Sequence, residues 1–274
     1  MSIITSQQIF QYYEAYSKIE VTFTKEVIQA TQLIPKNVFL KCLGYQYPCI
    51  LYSSSMVGAK IILNSSMVVQ ESLRKANNMV YLRYCFQKNP KGDPITFFIP
   101  CKVTGSSPYN KEGSDLYFYS LAFTQRPPDT LIEILGTLLD ATRASQKRRE
   151  ERILITEETL RKIGISTKEL SILVQGVPRK GILRDLSFGG AKVILLGLAK
   201  FLMNKEVVLR LEIEEPRQVL NLPGTIIRYE PVEGRKDIAA FAIKFHENKV
   251  PITYKMLLSD YLKQQEKRKE IPTL

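Results

Sequence analysis

Short apolar runs, separated by Gly, Pro, Asn and Ser, recur along most of the chain. Runs of this length with turn residues between them are typical of β-strands, and their density predicts a barrel or a sandwich. In the first half the predicted strands cover residues 38–40, 50–52, 60–63, 80–84, 95–99 and 116–119. The second half contains further apolar runs at residues 191–193, 207–209, 222–226 and 241–245.

A helical pattern of apolar positions occurs near the N-terminus. Thr5 and Gln8 have the spacing of a capping box and precede an apolar face at helical spacing, formed by Ile9, Tyr12, Tyr13 and Tyr16. We expect this short helix to pack against the first group of strands. Binding of a partner through its aromatic residues is the alternative.

The two halves of the chain contain an internal repeat. Residues 50–63 align without a gap to residues 182–195, with eight identities in fourteen positions, and residues 115–123 align with residues 237–245. Each copy continues through proline into a helix with the same apolar spacing, formed by Leu131, Ile134, Leu135, Leu138 and Leu139 or by Tyr254, Leu257, Leu258, Tyr261 and Leu262. The prediction is a mainly β fold with α (α+β), built as two tandem six-stranded β-barrels that are each followed by an amphipathic helix.

Length and composition are those of a globular protein with two domains. The chain has 274 residues, no run of eighteen apolar residues, and no signal-peptide pattern at its start. We therefore expect a soluble, cytoplasmic protein that does not insert into a membrane. Cys42, Cys49, Cys85 and Cys101 lack metal-binding spacing, and His246 is the only histidine, so buried reduced thiols are expected rather than a metal site.

The same scarcity of histidine bears on catalysis. Any Cys-His or Ser-His mechanism would have to use His246, which directly follows an apolar run and is expected to end a strand. Paired carboxylates, a phosphate-cradling loop with Lys-Ser/Thr and a nucleophile beside a base are also missing from the sequence. We therefore predict that the protein is not an enzyme and uses no cofactor.

The net charge of +12 is spread along the chain. A basic surface attracts phosphate-bearing partners, including nucleic acid, through a field that does not depend on sequence. A solvated basic surface without a nucleic-acid partner is an equally good interpretation, because no helix-turn-helix, zinc-finger or RNA-binding motif accompanies the charge.

Basic residues concentrate at the junction between the two copies. Arg148 and Arg152 form an RxxxR motif, with Arg149 between them and Lys147 before them. A guanidinium group binds phosphate bidentately and stacks on flat rings, so this cluster suits an anionic ligand with bases. If the preceding helix persists, Arg148 and Arg152 are neighbours on one face; if it unwinds, they can wrap over the second barrel.

A second polar cluster lies at the predicted start of the second barrel. Asp185, Ser187 and Gly190 form a DxSxxG motif that also contains Gly189. A carboxylate can accept hydrogen bonds from the N–H groups of a guanine-like base, and glycine lets a ligand approach the backbone. The two motifs together predict a site for a ligand that carries both phosphates and base edges.

RxxxR followed by DxSxxG and a series of short strands resembles the PilZ family of cyclic di-GMP receptors. The resemblance covers roughly residues 145 to 265, and the 33 positions from Arg152 to Asp185 are a long gap for the family. It implies that Arg148 and Arg152 hold phosphate and guanine edges, and that Arg149 adds charge or stacking. It also implies that Asp185 and Ser187 bind the ligand or position the arginines, and that Gly190 gives clearance. Lys147 and Gly189 are weaker candidates.

The first copy lacks these motifs. Ser53 stands where the second copy has Asp185, and the positions near Tyr16 and Glu20 that correspond to the arginines carry no cation. This organisation resembles the spirochaetal two-domain PilZ proteins of the PlzA kind. The predicted domains are a PilZ-like N-terminal domain (1–140), an arginine-rich linker (141–153) and a C-terminal PilZ domain (154–274).

The resemblance implies an intracellular receptor that binds cyclic di-GMP and passes the signal to a partner as a change in domain arrangement. The alternative is a nucleic-acid-binding regulator, with or without cyclic di-GMP as effector. A third hypothesis is an adaptor whose N-terminal domain docks on another protein.

Overall fold

The structure is a computed structural model that describes residues 4–87, 92–109, 115–196, 199–215, 217–232 and 235–270. The chain divides into two units, with Ile3–Leu139 in the first and Asp140–Leu274 in the second. Their boundary falls within a long helix that begins in the first unit and ends in the second. Each unit contains one antiparallel sheet of its own.

The first unit contains eight strands and the first four helices. Its strands are β1 (Val21–Thr22), β2 (Phe39–Cys42), β3 (Tyr45–Pro48), β4 (Ile50–Ser54), β5 (Gly58–Asn64), β6 (Met79–Phe86), β7 (Ile95–Pro108) and β8 (Leu116–Phe123). The helices are α1 (Ser6–Tyr16), α2 (Lys25–Thr31), α3 (Met67–Lys75) and the boundary helix α4 (Asp129–Lys147), with a 3-10 turn at Pro35–Asn37.

Helix α1 has the predicted cap and buried face. The Thr5 hydroxyl accepts a hydrogen bond from the Gln8 N–H, and the Gln8 side chain accepts one from the Thr5 N–H. Ile9, Tyr12 and Tyr16 are buried, whereas Phe10 is exposed and Tyr13 is partly exposed. The predicted capping box is confirmed, and the buried residues give the helix a packing role within the first unit.

The sheet of the first unit is open. Its strand order is β1-β4-β5-β8-β7-β6-β2-β3, and within the described residues no pairing joins the two edge strands. All predicted strands of this half occur, but β1 and β3 are additional. The predicted closed six-stranded barrel is therefore not formed by the first unit, which instead has a curled eight-stranded sheet.

The second unit continues with seven strands and three helices. Its strands are β9 (Ile153–Leu154), β10 (Glu169–Val174), β11 (Val177–Leu186), β12 (Gly190–Leu196), β13 (Glu206–Ile213), β14 (Gln218–Val232) and β15 (Arg235–Phe245). The helices are α5 (Glu157–Ile163), α6 (Ala199–Leu202) and α7 (Ile252–Glu270), with a 3-10 turn at Glu247–Lys249.

The second sheet closes into the predicted six-stranded barrel. The order β10-β13-β14-β15-β12-β11 returns to its start because β10 also pairs with β11, and β9 is added at the outer edge of β11. Closure depends on the length of β11. Its first half pairs with β10 and its second half with β12, and Gly181 pairs with both Leu170 and Leu195.

The two repeats differ in sequence at the corner where β11 is continuous and its counterpart is divided. In the repeat alignment Pro48 and Cys49 correspond to Lys180 and Gly181. An added Cβ atom at Gly181 would lie 2.6 Å from the Leu195 side chain and 3.1 Å from the Ile194 carbonyl oxygen, so glycine suits this crowded corner. In the first unit Pro48 offers no N–H to a ladder and Cys49 has a side chain, and the long strand is divided into β3 and β4. Strand β3 pairs with β2 and β4 pairs with β5, so two separate strands make the two pairings that the continuous β11 makes in the second unit.

Helix α7 covers the second core as its apolar spacing predicts. Tyr254, Leu258 and Leu262 are buried with the inward side chains of the barrel, and the Phe245 and Tyr254 rings meet edge to face at 5.9 Å. This packing fixes the start of α7 beside the end of β15, next to the turn that contains the DxSxxG motif.

The four cysteines are free and buried, as expected for reduced thiols. Burial raises the pKa of Cys49 and of Cys101 to about 12, so both remain protonated at neutral pH. The described part of the chain contains no cluster of His, Cys, Asp or Glu that could bind a metal. Among the described helices, none combines the length and apolar character that crossing a membrane requires.

Candidate functional site

The arginine cluster begins where helix α4 ends. The Arg148 N–H donates to the Ala144 carbonyl at 2.9 Å, and the Glu151 N–H then donates to the Arg148 carbonyl at 3.0 Å in a tighter turn. Arg152 therefore lies outside the helix, and the chain runs directly into β9. Of the two alternatives from the sequence, the structure has the unwound one. Lys147 is the exposed last residue of α4.

One ion pair joins the two motifs. The Arg152 Nη1 atom lies 2.7 Å from the Asp185 Oδ1 atom. The Asp185 side chain is only 9% exposed, whereas that of Arg152 is 46% exposed. A carboxylate this deep needs a partner, because burial of an unpaired charge is costly. The geometry makes Asp185 a support that orients Arg152 and leaves much of the guanidinium accessible.

Strand pairing brings these residues together. Strand β9 lies antiparallel to β11, with Leu154 opposite Asp185, and Arg152 lies just before this short ladder. A β-bulge at Arg184 shifts the register between β11 and β12. The Ile155 N–H donates a hydrogen bond to the Arg184 carbonyl at 2.9 Å. Ion pair and ladder together hold the linker on the second unit.

The Ser187 side chain closes the turn of the second motif. The Ser187 N–H donates to the Gly190 carbonyl at 2.8 Å, and the Ser187 hydroxyl donates to the same oxygen at 3.3 Å. The Tyr254 hydroxyl donates to the Ser187 carbonyl at 2.7 Å. Burial, reinforced by the Asp185 carboxylate, raises the pKa of Tyr254 well above its usual value, so this donor stays protonated. Helix α7 thus fixes the turn.

Both glycines of the motif lie close to other backbone. The Gly189 N–H donates to the Arg149 carbonyl at 3.0 Å, and its carbonyl accepts from the Phe245 N–H at 2.8 Å. A Cβ atom at Gly190 would lie 2.3 Å from the Ile243 carbonyl oxygen on β15. Gly190 therefore allows close strand packing, which is a structural reason for glycine apart from clearance for a ligand.

The other two arginines face carboxylates from the end of the second unit. The Arg148 Nη2 atom lies 2.8 Å from Glu266 Oε1 on α7, and the Arg149 Nη1 atom lies 2.8 Å from Glu247 Oε2. All of these side chains are about one third exposed or more, so solvent weakens the attractions. An incoming phosphate can take the place of either carboxylate.

Three further charged residues, Lys192, Arg228 and Glu230, belong to the same surface. Asp185 pairs with Lys192 across β12, Lys192 with Ala242 across β15, and Ala242 with Arg228 across β14. Residues directly opposite one another on paired strands share a face, so these four residues form a row across four strands. The row extends roughly 14 Å, at about 4.8 Å per strand. Sequence reasoning missed Lys192 and Arg228, although their alternation with buried residues was a usable signal.

Glu230 holds these two cations in place. Its carboxylate lies 2.5 Å from Lys192 Nζ and 3.2 Å from Arg228 Nη2. The hydrogen bond from Lys192 is the largest cause that holds the pKa of Glu230 below its usual value, and the charges of Lys192, Arg228 and Arg152 act in the same direction. The outer face beside Arg152 consequently presents two further cations, Lys192 and Arg228, in positions fixed by Glu230.

The first unit repeats this register without the arginine–aspartate pair. Thr22 pairs with Ser53 and Ser53 with Lys60, as Leu154 pairs with Asp185 and Asp185 with Lys192. Where the second unit has Arg152 and Asp185, the first has Glu20 and Ser53, and the Ser53 hydroxyl donates to the Glu20 carboxylate. An acid in place of the cation leaves this position unsuited to phosphate.

Comparison with known proteins supports the family assignment. The PilZN3 domain matches residues 7–142 and the PilZ domain matches residues 146–264. A cyclic di-GMP binding protein of Treponema denticola is 44% identical over 261 residues, which cover 95% of this chain and 83% of that protein. This chain therefore belongs to the PilZ family.

Solved structures with similarity to the chain include two bound to c-di-GMP. PlzA of Borreliella burgdorferi in complex with c-di-GMP has 25% identity and a TM-score of 0.43, covering 93% of this chain and 98% of that one. YcgR of Escherichia coli in complex with c-di-GMP has 15% identity and a TM-score of 0.30, covering 90% and 89%.

Proposed function

We propose that this chain is a cytoplasmic, non-enzymatic receptor that binds cyclic di-GMP on the second unit. The observation that carries the proposal is the ion pair between Arg152 and Asp185, at 2.7 Å, which joins RxxxR and DxSxxG into one surface. The cyclic di-GMP binding protein that is 44% identical over most of both chains supports the same ligand.

The proposed roles follow from charge and exposure. Arg148 and Arg149, each with a replaceable carboxylate partner, take the phosphates as bidentate donors. Arg152, oriented by Asp185, presents its free edge to a guanine, where a guanidinium donates to the O6 and N7 acceptors. Lys192 and Arg228 add positive charge on the outer face.

The other motif residues act mainly through the backbone. Ser187 and Gly190 close the turn that positions Asp185, and Gly189 ties this turn to the linker through Arg149. Lys147, exposed at the end of α4, contributes long-range attraction for the anionic ligand.

The two units have different roles in this proposal. Residues 154–274 form the ligand-binding PilZ domain, residues 141–153 form the linker that carries the arginines, and residues 1–140 form a PilZ-like domain without the ligand motifs. Because the linker follows α4, which begins in the first unit, ligand contacts with Arg148 and Arg149 change the arrangement of the domains and transmit the signal to a partner.

Calorimetric titration of cyclic di-GMP into the intact protein and three variants tests this proposal. Arg148→Ala and Arg152→Ala should each weaken binding at least a hundredfold, because each removes charge-assisted hydrogen bonds worth about 3 kcal/mol. Arg179→Ala is the matched control, since it removes an exposed arginine from β11 outside the site. Normal affinity in both site variants, or equal loss in the control, would contradict the proposed site.

A further inference from the structure

The sheet of the first unit has an unusual distribution of charge. None of its eight strands contains Asp or Glu, whereas Lys41, Lys60, Arg83 and Lys102 all lie on them. The cations alternate with buried residues such as Leu40, so their side chains belong to the outer face. The charged residues that the strands themselves bring to this face are therefore all cations, although the unit lacks the ligand motifs.

Aromatic rings accompany the cations at one end of this face. Phe39 lies opposite Arg83, which lies opposite Phe98, and Lys41 lies opposite Tyr81. Lys41 Nζ is 5.6 Å from the centre of the Phe98 ring, and Arg83 Cζ is 5.5 Å from that of Phe39. Tyr81 is 52% exposed and Phe98 is 42% exposed, so apolar ring surface is open to solvent beside each cation.

A second cluster of the same kind lies across the sheet, on β4, β5 and β8 and just after the end of β7. Lys60 Nζ is 5.5 Å from the centre of the Phe118 ring. Tyr52 and Tyr109 meet this ring edge to face at 5.0 and 5.2 Å, and both tyrosines are exposed. The outer face therefore carries two separated groups in which a lysine or arginine is interleaved with aromatic rings.

These cations have no acidic partners within the described residues. Lys41, Lys60, Arg83 and Lys102 take part in none of the ion pairs there, and the buried Nε atom of Arg83 has no hydrogen-bond partner. A cation held over a ring keeps its ability to attract an anion, since no carboxylate has to be displaced first. The pattern thus favours a partner with negative charges and flat groups.

The second unit does not share this pattern. Its strands include Glu169, Glu206, Glu212 and Glu230, and its strand rings Phe241 and Phe245 point into the core. The aromatic and cationic face consequently belongs to the first unit alone and is not a general feature of the repeat.

We propose that the outer face of the first sheet binds single-stranded nucleic acid without strong sequence preference. Exposed rings provide stacking surfaces for unpaired bases, and the interleaved cations contact the phosphates between them. A duplex keeps its bases stacked on one another and can offer this face its phosphates only. The inference is independent of the proposed dinucleotide site, which lies on the other unit and uses other residues.

Fluorescence anisotropy with a labelled oligothymidine and the full chain tests the proposal. Tyr81→Ala should weaken binding about tenfold by removing one stacking surface, whereas Tyr81→Phe should bind normally because its ring remains. Lys41→Gln should weaken binding and lower the slope of log affinity against log salt by about 0.7. Lys180→Gln, an equal charge change on the second unit, should leave affinity and slope unchanged.

Several results would overturn the inference. Absence of binding at low salt would do so, as would equal or tighter binding of a duplex of the same length. Equal losses of oligothymidine affinity in Lys41→Gln and Lys180→Gln would show that net charge alone explains the binding. Equal affinity of Tyr81→Ala and Tyr81→Phe would show that the ring does not contribute. Arg152→Ala should retain oligothymidine binding, and this variant separates failure here from failure of the dinucleotide site.

Discussion

At the scale of single residues, both copies have the same structural reason for a glycine at the last position of the DxSxxG motif. A Cβ atom at Gly190 would lie 2.3 Å from the Ile243 oxygen, and one at Gly58, its counterpart, 2.5 Å from the Leu121 oxygen. The first copy keeps this glycine although Glu20 and Ser53 replace the charged pair. Close strand packing, which both copies need, is therefore sufficient to explain it.

Gly190→Ala should therefore lower the free energy of unfolding by about 1–3 kcal/mol, because its new methyl group forces two strands apart. Thermal denaturation followed by circular dichroism measures the change. Gly105→Ala is the control, since a Cβ atom there meets nothing within 4 Å. A Gly190→Ala protein as stable as the wild type would refute the packing explanation.

The sequence motifs provide candidate site residues but not the partners that these residues have in the structure. The motifs predict which residue types cluster, because Arg and Asp at these spacings suit a ligand with phosphates and bases. Glu247 and Glu266 come from distant parts of the chain, and only the packing of α7 and its preceding turn brings them to the arginines. The sequence offers no local signal for such contacts.

At the scale of elements, the strands that the sequence predicts are those with continuous apolar or aromatic runs. The short strands β1, β3 and β9 were missed because two to four residues carry too little pattern, and polar residues at the start and middle of β10 obscure its alternation. Strand β11 was indicated only by the alignment of residues 182–195 with residues 50–63. Each missed strand is defined mainly by its partner in the sheet. Such elements depend on tertiary pairing, which a local pattern does not record.

The pairing of α7 with the arginine cluster yields a prediction about affinity. Glu266→Gln should tighten cyclic di-GMP binding up to about fivefold, because Arg148 would no longer have to exchange a carboxylate for a phosphate. Titration calorimetry measures the effect. Glu169→Gln, which removes an exposed acid from β10, controls for net charge. Weaker binding in Glu266→Gln would show that Glu266 supports the site instead.

At the scale of the whole molecule, the internal repeat predicts two related units, but it does not predict that only one sheet closes. Strand β11 continues through its corner at Gly181, whereas its counterpart is divided at Cys49 into β3 and β4. The alignment contains this difference. Its consequence becomes visible only when the three-dimensional crowding at the corner is known.

Ligand binding should alter the arrangement of the two units. The arginines follow α4, which begins in the first unit, while Asp185 belongs to the second, and a ligand shifts an equilibrium only by its differential affinity for the two states. Small-angle scattering should show a changed radius of gyration with cyclic di-GMP, and Arg148→Ala should abolish the change. Superimposable curves at saturating ligand would instead place the output on the surface of the second unit.

Hydrogen exchange with mass spectrometry tests the location of the ligand site most directly. At saturating cyclic di-GMP we predict slower exchange in peptides that cover residues 147–152 and 185–190, because the ligand fixes both motifs against each other. Peptides that cover β2 and β6 of the first unit should not change. Protection confined to the first unit, or no protection at either motif while the ligand is bound, would contradict the account.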